Sequence, residues 1–240
     1  RLFDAIDEEL YERLCGQFLY ILSEGEKDDG LIFLSYIKER REEFFLKKSL
    51  RRIGEAEAVF IEPGSNKAIS HINDLFENYK ILLEHYKGYT LQICKCERRG
   101  GRLLLECKDK VTLEQLLDRA LAKEDEGAFF GLIDRLCDIV TSPGRMELLS
   151  DDSKDTSSFV LDEGFIAMFG QLSQGECERI GDELLLPVSI ADMSFKSFLV
   201  SNYRWTTWDY EWAVTFKMPF SFLLYKALVK YFSALSERDK

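Results

Sequence analysis

The chain has 240 residues, 46% of them apolar, and sets 43 Asp and Glu against 32 Lys and Arg for a net charge of −11. That apolar content is enough for one large core or for two lobes sharing a cleft, and the acidic balance argues against non-specific binding to nucleic-acid backbones. The six cysteines (Cys15, Cys94, Cys96, Cys107, Cys137 and Cys177) are irregularly spaced in a chain too large to need staples, so reduced thiols and a cytosolic setting are expected. No signal peptide is visible, and no apolar run reaches the roughly 18 residues of a membrane span. The nearest, Met218 to Leu235, is interrupted by Lys226 and Lys230 and predicts a buried C-terminal helix. The sequence starts at Arg1 rather than Met, so a piece of a longer polypeptide is expected.

Along the chain, Asp7 to Leu22 predicts a lead-in helix or a helix followed by a strand, and Asp28-Asp29-Gly30 a turn. Leu31 to Ile37, Phe44 to Ile53 and Ala56 to Glu62 predict three strands, close enough in sequence to form an antiparallel meander. The period then changes. Ala68, His71, Ile72, Leu75, Phe76, Tyr79, Leu82 and Leu83 recur at helical spacing, with Ser65 or Asn66 to cap the start. Thr90 to Glu97 and Arg102 to Cys107 predict a hairpin around Arg98-Arg99-Gly100-Gly101, in which Cys94, Cys96 and Cys107 are packed thiols.

The second half is mostly helical by pattern. Leu113, Leu116, Leu117, Ala120 and Leu121 form a stripe capped by Thr112, and Phe129 to Val140 forms another, stopped by Pro143-Gly144. Leu149 to Ser158 predicts a polar loop. Leu184 to Val188, Phe198 to Val200 and Trp205 to Trp208 predict short strands, and Phe220 to Leu235 a closing helix. His71 is expected to be a packed histidine and His85 an exposed one. The fold class is therefore α+β: residues 1–107 make a five-stranded antiparallel sheet with one helix, and residues 108–240 a mostly helical half.

Chemistry concentrates in Asp192-Met-Ser-Phe-Lys-Ser-Phe-Leu-Val200 and Trp208-Asp209-Tyr210-Glu211-Trp212. Two aspartates flank a short apolar hairpin. In phosphoryl transfer by kinases, one aspartate orients the attacking hydroxyl and a second, on the next turn, holds Mg²⁺, which prefers carboxylate oxygen. The position five after the first aspartate, an asparagine in kinases, is Ser197, whose hydroxyl is a shorter and neutral metal ligand. The aromatic residues around Asp209 are expected to be core.

Several segments resemble the kinase-like domain, of the protein-kinase and aminoglycoside-phosphotransferase type, at the C-terminal end of bacterial methyltransferase–kinase and glycosyltransferase–kinase proteins of surface-polysaccharide synthesis. They are Tyr36 to Arg40 with Glu43-Phe44; His71-Ile72 with Glu77-Asn78-Tyr79; Thr112-Leu113 with Leu116-Leu117; Gly164-Phe165 with Met168-Phe169-Gly170; Asp192 with Phe195; Asp209-Tyr210-Glu211-Trp212; and Pro219 with Tyr225 and Ala227-Leu228.

The resemblance implies a two-lobed kinase-like fold binding ATP and Mg²⁺ in the cytoplasm or at the inner membrane's surface, with a glycan or sugar hydroxyl as acceptor. It also implies a methyltransferase or glycosyltransferase domain upstream. Carried over by position, Asp192 is the catalytic aspartate, Asp209 and Ser197 the metal ligands, and Glu77 the partner of a phosphate-binding lysine, while Arg40 faces phosphate. The chain departs from the pattern in three places, the first being Ser197 where the pattern has asparagine. Val59-Phe60-Ile61-Glu62 on the third strand offers no lysine, leaving Lys47 or Lys48 on the neighbouring strand to substitute, and the first hairpin lacks a glycine-rich loop. A catalytically degenerate docking module is the alternative these departures raise.

Overall fold

A computed structural model describes residues 18–19, 30–36, 40–106, 111–150, 161–201 and 204–238. The described chain is α+β. It divides into two compact units, Arg1–Glu77 with Cys94–Lys108 and Asn78–Ile93 with Asp109–Lys240.

The first unit carries an antiparallel sheet of six strands: β1 (Phe18–Leu19), β2 (Leu31–Tyr36), β3 (Leu46–Ile53), β4 (Ala56–Pro63), β6 (Lys95–Arg99) and β7 (Arg102–Glu106), in the order β1-β2-β3-β4-β7-β6. Five of these are the expected meander and hairpin. The sixth, β1, adds two residues at one edge, inside the stretch whose pattern predicts a lead-in helix or a helix followed by a strand; the rest of that stretch and the Asp28-Asp29 turn lie outside the described residues. Both tight turns put a glycine at positive φ in the first turn position, Gly54 at 65° and Gly100 at 62°. That favours turns whose twist matches the strands they join.

Strand alternation gives the sheet two different faces. Leu46, Ile61, Leu103 and Leu105 are buried on one. Ala58, Phe60 and Leu104 cluster on the other, where the guanidinium groups of Arg102 and Arg51 sit 4.9 and 5.6 Å from the Phe60 ring centre. Helix α1 (Ile69–His85) follows a three-residue 3₁₀ turn, Asn66–Ala68, and buries Ala68, Ile72 and Leu75 on the stripe that the periodicity predicts. Ser65 enters this turn without capping it; its hydroxyl donates to the Glu42 carbonyl at 2.7 Å. His71 is buried with its ring edge against Phe44, 5.1 Å between centres, and His85 is half-buried.

In the second unit, α2 (Leu113–Ala122) starts with a reciprocal cap. The Gln115 amide donates to Thr112 Oγ1 at 3.2 Å, and the Thr112 amide donates to Gln115 Oε1 at 3.1 Å. Helix α3 (Glu126–Ser150) runs on past Pro143, where the sequence pattern predicts a stop. Proline removes the donor for the carbonyl four residues back, Ile139. Ser142 Oγ supplies a substitute donor to that carbonyl at 2.9 Å, so the break is repaired locally.

Two short helices not apparent from the apolar pattern, α4 (Glu163–Phe169) and α5 (Gln174–Gly181), precede the two-residue strands β8 (Leu185–Leu186) and β9 (Ser189–Ile190). The hairpin β10 (Phe198–Ser201) with β11 (Arg204–Thr207) is followed by β12 (Ala213–Val214), β13 (Met218–Pro219) and α6 (Phe220–Arg238). The expected strand Thr90 to Glu97 splits at Cys94. Leu91–Ile93, strand β5, pairs in parallel with β11 in the second unit, and only Lys95–Arg99 enters the hairpin with β7.

Cys94 is disulfide-bonded, contrary to the expectation of a packed thiol. Cys96, Cys137 and Cys177 form no disulfide. No helix among the described residues is long and apolar enough to cross a membrane.

Truncating Leu103, fully buried, is expected to remove about 2–5 kcal/mol of stability, read as a lowered urea midpoint of Leu103→Ala. Truncating Leu121, 41% exposed, should change it by about 0.5 kcal/mol or less. Burial pushes the Tyr86 phenol well above the ordinary tyrosine range, and its hydroxyl donates to the Val140 carbonyl at 3.1 Å. Above about pH 10 the unfolded chain therefore ionises Tyr86 while the folded chain keeps its proton, and stability falls as pH rises. Tyr86→Phe should flatten that alkaline slope in denaturation curves taken across this range.

Candidate functional site

The second unit brings the two sequence-predicted aspartate loops together by a short pairing. Strand β9 lies antiparallel to β12, with Ile190 opposite Ala213 and Ser189 opposite Val214. One residue beyond β9, the Ala191 amide donates to the Trp212 carbonyl at 2.8 Å. The chain then runs through Asp192 and a 3₁₀ turn, Phe195–Ser197, into the β10·β11 hairpin, and returns through Trp208 and Asp209 to β12. At the hairpin base the Trp208 amide donates to the Ser197 carbonyl at 3.2 Å, and Trp208 Nε1 donates to the Lys196 carbonyl at 3.1 Å.

Both loops alternate buried anchors with half-exposed polar groups. Met193, Phe195, Phe198 and Tyr210 are at most 2% exposed, whereas the Asp192 side chain is 47% exposed. The anchors hold the backbone and leave the carboxylates accessible.

Hydroxyl contacts link the loops. Ser197 Oγ is buried, lies 2.8 Å from Ser194 Oγ, and donates to Asp209 Oδ2 over a long 3.4 Å. On the far side, Asn78 of α1 donates from Nδ2 to the carbonyls of Tyr210 and Glu211 at 3.1 and 3.0 Å, and the Tyr79 and Tyr210 rings are 5.6 Å apart. From α6, Lys226 Nζ donates to the Ala191 carbonyl at 2.8 Å. Lys230 Nζ donates to Asp192 Oδ1, and to the Asp192 carbonyl at 3.3 Å. Asp192, Ser197 and Asp209 thus share one locus within one unit.

The candidates in the first unit diverge. Lys47 pairs across the sheet with Glu62, and Lys48 with Ile61, so the two point to opposite faces. Lys48 shares the face of Leu46, Ile61 and Leu103. Lys47 is exposed and lines an open depression of about 640 Å³ with Glu62, Arg99 and Arg102, in which Arg102 Nη1 donates to Glu62 Oε1 at 3.1 Å.

Arg40 donates from Nη1 to the Phe44 carbonyl at 3.3 Å, across its own turn, and Glu77 is an exposed position of α1. The connection from β2 to β3 is mixed in charge, with Lys38, Arg40 and Arg41 against Glu39, Glu42 and Glu43, and holds no glycine. Glu42 pairs with Lys67 at 2.5 Å, and that hydrogen bond and charge hold the Glu42 carboxyl below its ordinary range.

A magnesium ion takes oxygen ligands and keeps several waters. Asp209 and Ser197 fit such an ion as carboxylate and hydroxyl donors. No cluster of three or more His, Cys, Asp or Glu among the described residues forms an all-protein metal cage, so phosphate oxygens and water would have to complete the shell. No protein-family model matches the chain, and no curated protein sequence does either.

Sequence reasoning missed Asn78, Ser194, Lys226 and Lys230 as parts of the site. Lys226 and Lys230 were legible as an i, i+4 pair, which shares one helix face. Replacing Asn78 with Ala leaves two carbonyls without their side-chain donor and is expected to cost about 1–3 kcal/mol, measured by urea denaturation. Asn78→Asp, which substitutes an acceptor for the donor, should cost at least as much.

Proposed function

We propose that this chain is a kinase-like phosphotransferase domain that binds Mg²⁺–ATP and transfers the γ-phosphoryl group to a hydroxyl, on a glycan or sugar of bacterial surface-polysaccharide synthesis by the family resemblance. One observation carries the reading. Strand, Asp192 loop, hairpin, Asp209 loop and returning strand follow in an order that joins the two aspartate loops through β9 and β12, which supports a reading in which one aspartate would orient a hydroxyl and the other would bind metal. Asp192 would align the acceptor hydroxyl, Asp209 and Ser197 would hold the metal, and Lys48 is the better-placed substitute for the absent third-strand lysine.

A degenerate docking module for an upstream methyltransferase or glycosyltransferase domain is the second reading. It is favoured by Glu62, which opposes phosphate electrostatically, and by the lack of a lysine on β4. The active reading predicts a rise in melting temperature with millimolar ATP that requires Mg²⁺; a ligand at a hundred times its Kd adds about 2.7 kcal/mol. Asp209→Ala should abolish the Mg²⁺ dependence and lower transfer by about 10²–10³-fold. The absence of any shift in the wild type would sink the catalytic reading and leave the docking one.

A further inference from the structure

We propose that Lys230, reaching from α6, is a positioning residue that fixes the Asp192 carboxylate and leaves one of its oxygens for the acceptor hydroxyl; this rests on the phosphotransfer reading. An ammonium has three donors, and Lys230 places two of them on one residue, the Asp192 side-chain Oδ1 and the Asp192 carbonyl. Side chain and peptide are then held together, so the carboxylate cannot turn without breaking a contact. Lys226, one turn earlier on the same helix face, holds the preceding carbonyl of Ala191.

A solvent-exposed ion pair alone contributes little. Here both ends are fixed by their surroundings. Helix α6 buries Leu223, Ala227 and Tyr231. The Tyr231 hydroxyl donates to Asp118 Oδ1 at 3.0 Å, and its ring lies 5.6 Å from Phe195, a buried anchor of the Asp192 loop. The lysines therefore project from a platform packed against the segment they restrain.

With Oδ1 taken by Lys230, Oδ2 is the oxygen left to accept from a hydroxyl. Asp192 is thereby placed to orient the hydroxyl as phosphoryl acceptor. As the new O–P bond forms and the bond from phosphorus to the bridging oxygen of ADP breaks, the acceptor proton passes to Oδ2 or to solvent.

The test compares the full chain as wild type, Lys230→Met and Lys230→Arg. ATP turnover is measured with Mg²⁺, and backbone hydrogen exchange is followed over residues 191–197. Lys230→Met should lower kcat by about 10²-fold, as expected for a misplaced reactive group, with KM for ATP little changed and loop exchange faster. Lys230→Arg, which keeps the cation, should restore most of both. Turnover and exchange in Lys230→Met equal to wild type would overturn this inference alone. A wild type that neither binds nor turns over Mg²⁺–ATP overturns the phosphotransfer reading together with the catalytic role of Lys230, and the exchange arm still decides whether Lys230 holds the loop.

Discussion

The pairing of β9 with β12 is only two residues long, yet it decides whether Asp192 and Asp209 belong to one site. The β10·β11 hairpin between them fixes only its own base, through the Trp208 amide and the Ser197 carbonyl. With β9·β12 formed, the outer ends of both loops are tied as well, by Ile190 opposite Ala213 and by the Ala191–Trp212 hydrogen bond. Each loop is then closed at both ends and has few conformations left. An isolated two-residue ladder is far too short to hold in water, so its stability must come from elsewhere. It comes from buried neighbours: Met193, Phe195 and Tyr210 anchor the loops from beneath, and Asn78 and Lys226 take up backbone carbonyls that the ladder leaves unpaired.

This division of labour explains which parts could be read from sequence. Long elements carry a period, and the strands of the meander, the stripe of α1 and the Thr112 cap were legible because their patterns extend over many residues or follow a fixed spacing. Two-residue strands such as β8, β9, β12 and β13 have no period to detect. The split at Cys94 was invisible for a related reason: Leu91–Ile93 and Lys95–Arg99 look like one strand, and only the partner strands, distant in sequence, assign them to different sheets. Pro143 misled because its penalty was judged without the hydroxyl of Ser142 beside it. The short helix α5 did carry a readable signal, since Ser173 stands three residues before Glu176, and the Ser173 amide and hydroxyl both donate to that carboxylate, at 2.8 and 2.6 Å.

The candidate site was half legible. Residue type and order singled out Asp192, Ser197 and Asp209 as candidates, and their loops do lie together, with Ser197 Oγ donating to Asp209 Oδ2. The supporting residues were not legible, since a lysine in an apolar helix or an asparagine in an amphipathic one has many ordinary explanations. Lys226 and Lys230 broke what would otherwise resemble a membrane span, and their charge looked like a defect of that helix. In the fold they are donors to a loop that begins far upstream in sequence.

The same logic of alternation separates Lys47 from Lys48, two adjacent lysines that the sequence leaves equivalent. One step along a strand reverses the face. Lys47 lands opposite Glu62, whose carboxylate also takes Arg102, so its charge is locally offset. Lys48 lands opposite Ile61, on the face of buried leucines. Neighbouring strands are about 4.8 Å apart, a gap that a four-carbon stem spans. A lysine on β3 can therefore reach the space above Ile61 on β4. In the described part of the β2–β3 connection, Arg40 and Arg41 stand beside Glu42 and Glu43. If phosphate binds, Glu42 is the group it must contend with, and its pairing with Lys67 is the contact that blunts the repulsion.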